Sequence, residues 1–275
     1  MKRAYQRRQS GLEVGLWVLA LLWSIPFLFL IVISVKPTEE LFGKALSLPS
    51  RIDLSSYVGA WTQGGMGRAL LSSVIITGGS VLGLLALSSA AAYVLARRTS
   101  NASGPLLLVF VVGLIVPAQL GLIPTYSAFR HLGLVGGYTG MILLNVSLWL
   151  PLAVFLYYGF LKQLGHEYEE AAQIDGATPA QTFTRVVFPL LRPVTGTVAI
   201  LCGMLIWNDF FNPLVFLSGT QKTPLPVAVY SFVGQFATRW NYVFAAVMIS
   251  LVPALAFFVV AQRQLIQGFS GGVKG

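Results

Sequence analysis

The residues of this chain that could do chemistry are few and unevenly placed. Nine acids are spread over 275 residues, and four of them, Glu167, Glu169, Glu170 and Asp175, fall between Gly165 and Gly176. Carboxylates at that density could ligate a metal, form an acid–base pair, or face a partner. A metal site is not expected: the two histidines, His131 and His166, lie far apart, and Cys202 is the only cysteine and sits in an apolar block. No catalytic residue can be assigned either. The chain holds no Ser-His-Asp arrangement and no Gly-x-x-x-x-Gly-Lys-Ser/Thr loop to cradle nucleotide phosphates. Docking to another molecule is the remaining use for the acidic cluster.

Local physics turns the cluster into a short helix. Glu167, Glu169 and Glu170 occupy a first turn, where they offset the positive end of the helix dipole. Ala171 and Ala172 favour helix, and Gly176 stands where a left-handed residue would end it. Pro179 can then open a second helix. Tyr168, Ala171, Ala172 and Asp175 are spaced by 3 or 4, so one face carries aromatic, small and acidic groups. Such a face suits a groove on a soluble partner. A helix lying on lipid headgroups should be basic, and three glutamates would be repelled by anionic lipid.

A second set of polar residues, Trp207, Asn208, Asp209 and Asn212, sits near the end of an apolar block, and Asn145 lies inside another. Polar groups at membrane depth either line a passage or bond a neighbouring helix. Trp207 and its neighbours also fit an interfacial belt. A passage or an interfacial belt stays open for Trp207, Asn208, Asp209 and Asn212, and a passage or a bond to a neighbouring helix for Asn145.

The elements that must position these groups are membrane helices. The chain is 56% hydrophobic and 10% charged, with a mean hydropathy of +0.76. A soluble domain of this size would need more charge on its surface. Six apolar blocks match the length of a bilayer-crossing helix: Val14–Val35, Ala69–Leu95, Pro105–Ile123, Tyr138–Leu161, Pro193–Leu217 and Val243–Gln264. The expected organisation is a cytoplasmic segment over 1–13, a six-span domain over 14–264 containing a cytoplasmic loop at 162–192, and a cytoplasmic tail over 265–275. The second block is rich in Gly, Ser and Ala and should pack inside a bundle.

The net charge of +9 is no sign of nucleic acid. The basic residues form short clusters beside apolar blocks, at Lys2, Arg3, Arg7, Arg8 and at Arg97, Arg98, as topology anchors do. With both termini inside, 11 of the 18 basic residues fall in inner segments and 7 in outer ones, Lys36 among the latter.

The acidic loop resembles a known pattern. Glu170-Ala171-Ala172, three residues, Gly176, nine residues, Val186, one residue and Phe188-Pro189 follow the EAA loop of ABC importer permeases. Val186 and Phe188 stand where that pattern has Ile and Leu. Ile174-Asp175-Gly176-Ala177 is similar to the carbohydrate-uptake branch. Trp207-Asn208-Asp209-Phe210 with Pro213-Leu214, Leu132-Gly133-Leu134, and the run from Gln262-Arg263 through Gly268 to Gly271-Gly272-Val273-Lys274-Gly275 resemble the maltose-type, six-helix permease.

The resemblance implies an all-α membrane bundle of the type I importer fold in the bacterial inner membrane, taking up a sugar or sugar-like solute. It implies Glu167, Glu169, Glu170, Ala171, Ala172, Asp175 and Gly176 as the coupling helix that docks an ATPase subunit. Asn145, Trp207, Asn208, Asp209 and Asn212 become candidates for the passage. No cofactor is expected in this chain, with ATP and Mg on the ATPase subunits. The implied partners are a homologous second permease, two ATPase subunits or an ATPase dimer, an extracytoplasmic solute-binding protein and membrane lipid. The alternative is a secondary transporter driven by an ion gradient, which would need ionisable groups buried at mid-membrane.

Overall fold

The structure is a computed structural model that describes residues 2–41, 47–97, 103–235 and 240–271; Arg98 and Gly272–Gly275 lie outside the described residues. All regular elements among these residues are helical. In chain order they include α1 (Lys2–Ser34), α2 (Ser55–Thr62), α3 (Met66–Arg97), α4 (Ser103–Ile115), α5 (Leu122–His131), α6 (Tyr138–Gln163), α7 (Glu167–Ile174), α8 (Pro179–Leu190), α9 (Arg192–Trp207), α10 (Phe211–Phe216), α11 (Leu225–Gln235) and α12 (Trp240–Gly271).

Three helices, α1 from Gly15, α3 and α6, are long and apolar enough by themselves to cross a bilayer. Two helix pairs are long and apolar enough only when taken together, and both are sharply bent: Ser103–Ile115 with Gln119–His131 at 88°, and α8 with α9 at 73°. Helix α12, 32 residues long, covers the sixth apolar block.

Two expected spans differ from what is observed. The block Pro105–Ile123 is not one straight helix. It breaks at Val116–Pro117, because Pro117 has no N–H to donate and its ring disfavours helical geometry at Val116. The block Pro193–Leu217 stops as a helix at Trp207, and Asp209 and Phe210 separate α9 from α10. Pro213 cannot donate to the carbonyl of Asp209, and the Asp209 carboxylate takes the backbone N–H of Asn212 instead (3.3 Å). Asp209 therefore lies in a break and not on a span.

The chain forms two compact units. One comprises Met1–Gly67 with Ala228–Pro253. Here the Asn241 amide donates to Thr38 Oγ1 (2.9 Å) and Ser56 Oγ (2.7 Å). Lys36 is fully buried, and its Nζ donates to the carbonyl (2.8 Å) and hydroxyl (3.0 Å) of Ser47. Lys36 was one of the seven outer-segment charges; its ammonium is part of the packing and not a solvated loop charge.

The other unit comprises Arg68–Val227 with Ala254–Gly275. Its core is built from α3, α6 and α9, with Leu84, Ala92, Met141, Ala153, Tyr157, Leu161, Val198 and Cys202 buried. Tyr157 donates to Thr195 Oγ1 (2.9 Å), which donates on to the Leu191 carbonyl (2.9 Å), so a buried hydroxyl on α6 is satisfied by α9. The small residues of α3 act as expected. A Cβ at Gly79 would stand 2.6 Å from Ile142 Cδ1, and one at Gly83 would stand 2.9 Å from Val146 Cγ2.

The sharpest glycine requirement set by backbone among the described residues is at Gly140 in the first turn of α6, where a Cβ would meet the Leu134 carbonyl oxygen at 1.9 Å. Backbone cannot swing aside as a side chain can. Gly140→Ala should therefore destabilise the protein by about 1–3 kcal/mol, the usual cost of forced overpacking. Gly78→Ala, with nothing within 4 Å, should leave the melting temperature in detergent unchanged or raise it. Equal melting of the two variants would contradict this packing.

Candidate functional site

The acidic cluster folds as its residue types dictate. Helix α7 carries Glu167, Glu169 and Glu170 in its first turn, and the chain leaves it through Gly176 at φ +80°, in the left-handed region. Thr178 then caps α8. Its hydroxyl accepts from Gln181 N (3.4 Å) while the Gln181 side chain accepts from Thr178 N (2.8 Å), with Pro179 at the first position. Beyond it the helix widens to π geometry over Thr182–Val187. Pro189 explains this, since its ring would strike the Arg185 carbonyl of a regular α-helix.

The carboxylates do not act alike. Glu167, Glu170 and Asp175 are exposed, whereas Glu169 turns inward and is buried. Glu169, grouped on sequence with the docking residues, instead receives Arg97 Nε on its Oε1 at 2.7 Å. The rest of the Arg97 fork donates to the carbonyls of Leu161 and Leu164, each at 3.0 Å. Those carbonyls belong to the last turn of α6 and its exit, where a helix leaves acceptors unmet. Arg97 was read from sequence as a topology anchor. Its bonds join the end of α3, the end of α6 and the start of α7, and no local spacing signals that link.

The face expected on α7 is present. Tyr168, Ala171, Ala172 and Asp175 line an open cleft of about 530 Å³ together with Gly176, Ala177, Gln181, Arg185 and Val186 from the bend and α8. At the tip of α7, Ile174 is 87% exposed, and Tyr168 is 50% exposed. An isoleucine so placed is an apolar contact offered outward; the sequence pattern contained it without marking its exposure. Helix α8 is held in turn by Phe183, whose ring lies 5.1 Å from that of Tyr93 on α3.

The passage candidates separate. Asp209 and Asn212 are bonded to each other, Asn212 Nδ2 to Asp209 Oδ2 at 2.9 Å, and both line a second cleft of about 380 Å³. Gln119 beside the Pro117 break and Trp149 of α6 complete its polar and aromatic wall. Neither Gln119 nor Trp149 stood among the passage candidates on sequence. The other three are elsewhere. Asn208 donates back to the Met204 carbonyl (2.8 Å), Trp207 is not among the lining residues, and Asn145 is fully buried with neither amide atom hydrogen-bonded among the described residues.

The sequence profile of the family described as binding-protein-dependent transport system inner membrane component matches residues 84–270. The melibiose/raffinose/stachyose import permease protein MelC of Bacillus subtilis is 34% identical over 253 residues, which cover 91% of either chain. The probable starch degradation products transport system permease protein AmyC of Thermoanaerobacterium thermosulfurigenes is 34% identical over 258 residues, 94% of either chain. Among solved structures, a chain of a bacterial ABC transporter involved in the import of the acidic polysaccharide alginate superposes with a TM-score of 0.77 at 23% identity, covering 91% of this chain and 94% of that one. That likeness extends to the fold.

The two placements of polar residues make a test that needs no transport assay. In a Cys202→Ser background, Gln119→Cys and Asn212→Cys should react with a membrane-impermeant maleimide, and Asn145→Cys should not. Labelling of Asn145→Cys, or protection of both cleft positions, would show that water reaches a different face of the bundle.

Proposed function

The chain belongs to the family of binding-protein-dependent transport system inner membrane components, and on that premise we propose that it admits a sugar or sugar-like solute by alternating access, driven through α7. It is a multi-pass permease subunit of an ATP-driven importer, and a separate subunit carries out the hydrolysis. The solute class is supported by relatives named for melibiose, raffinose and stachyose and for starch degradation products. The Ile174-Asp175-Gly176-Ala177 run agrees with that class.

In this reading a homologous permease pairs with the chain, and two ATPase subunits or an ATPase dimer hold ATP and Mg. A binding protein delivers the solute to the outer face. Both termini are cytoplasmic, which places α7 on the same side as the ATPase. Closure of the ATPase pair displaces α7, and the core helices follow, switching the passage between its two faces.

The observation that carries the proposal is the form of α7. It is a short helix with a fixed bend at Gly176, an 87% exposed Ile174 at its tip and a cleft behind it. An apolar tip on a rigid acidic helix suits a socket on a soluble protein, where burying one such side chain contributes roughly 1.5–3 kcal/mol. The ion-gradient alternative has less support. Its best ionisable candidate, Asp209, sits in a helix break and already accepts from Asn212.

Three changes test the reading by affinity purification and uptake in vesicles. Deleting residues 166–178 should abolish co-purification of the ATPase subunit. Ile174→Glu should weaken it by about tenfold or more, for the loss of a buried apolar contact. Gly176→Val, strained at φ +80°, should leave the complex isolable but uncouple hydrolysis from uptake. Unchanged ATPase recovery in the deletion would sink the proposal.

A further inference from the structure

We propose that Arg97 is the positioning residue through which displacement of α7 reaches the membrane helices. The inference rests on the docking reading above and asks what α7 is fastened to. Apart from Glu169 and Ala172, helix α7 is exposed, and it packs on the Thr182–Val187 segment of the same loop, so a push at the tip could tilt the loop by itself. The Arg97 fork prevents that. Its Nε holds Glu169 at 2.7 Å, its Nη1 holds the Leu161 carbonyl and its Nη2 the Leu164 carbonyl, both at 3.0 Å. One planar group thus closes the end of α6 and pins the first turn of α7, from the last residue of α3.

The bonds are sheltered, with the Arg97 and Glu169 side chains 10% and 8% exposed. A charge pair in that setting is little screened by salt, and removing either partner leaves the other charge buried. The guanidinium matters for its shape as well as its charge. Lysine could face Glu169, but it has no rigid fork to hold two carbonyls at the same time.

A second contact falls on the same part of α3. Tyr93, four residues before Arg97 and so on the same helix face, meets Phe183 of α8 at 5.1 Å. Both halves of the loop therefore grip the inner end of α3. Gly79 and Gly83 bring α3 close to Ile142 and Val146 of α6, and the same arginine bonds the end of α6. Force applied at α7 is delivered to α3 and α6 together, as a pair.

The test uses the whole transporter, with its partner subunits and binding protein, in proteoliposomes; complex recovery and solute taken up per ATP hydrolysed are measured. Arg97→Gln should retain assembly and basal hydrolysis yet lower solute per ATP by about tenfold, and Glu169→Gln should lower solute per ATP to the same extent. Their combination should be no worse than either alone, as for two ends of one link. Arg97→Lys should fall between the wild type and Arg97→Gln, keeping the pair but not the carbonyl fork.

Wild-type stoichiometry in Arg97→Gln would overturn the inference, and so would losses that add in the double variant. Loss of assembly in both single variants would also overturn it, by reducing Arg97 to a folding element. If the wild-type chain retains no ATPase subunit at all, the docking reading fails first and the inference falls with it.

Discussion

A chain inside hydrocarbon must satisfy its own backbone, and that constraint decides where this protein can be irregular. Each N–H and C=O without a partner costs several kcal/mol in lipid, about 4–8 by transfer to an alkane-like medium. Breaks are therefore confined to places where other polar groups or open space can meet the freed atoms. The break at Val116–Pro117 and the break at Asp209–Phe210 come from distant parts of the sequence, and both border the same cleft. In the second, the Asp209 carboxylate meets an amide that α10 would otherwise leave free. Prolines create the interruptions, and the cleft is where interruption is tolerated.

The loop between α6 and α9 obeys a different logic, since both of its helices are short and largely exposed. Its shape is set by caps and turns: acids in the first turn, a left-handed Gly176, the Thr178–Gln181 box and Pro179. Those devices define a rigid body but attach it to nothing. Attachment comes from Arg97 and from the Tyr93–Phe183 contact, both supplied by α3. A self-determined shape with borrowed anchorage is what a moving part requires.

This division explains what could be read from the sequence. The bounds of α7, the bend and the start of α8 were legible because each depends on residues within four positions of one another. The same holds for the close packing of α3, announced by its glycines and serines. The Arg97–Glu169 pair was not legible, since nothing in either segment names the other as partner. The block Pro105–Ile123 was expected as one span despite Pro117, and the 88° between its two halves is a matter of tertiary packing. The passage candidates were legible as polar groups, but their directions were not. Asn145 and Asp209 are alike as polar groups near apolar blocks, yet one is sealed in the core and the other faces a cleft.

Helix α1 shows the opposite extreme of constraint. Every residue from Gly15 to Phe29 is exposed, including Trp17 and Trp23 at 72%. Within the chain by itself no neighbour gives these side chains a shape, so leucine, valine, isoleucine and phenylalanine should interchange there without disturbing the packing of the other helices.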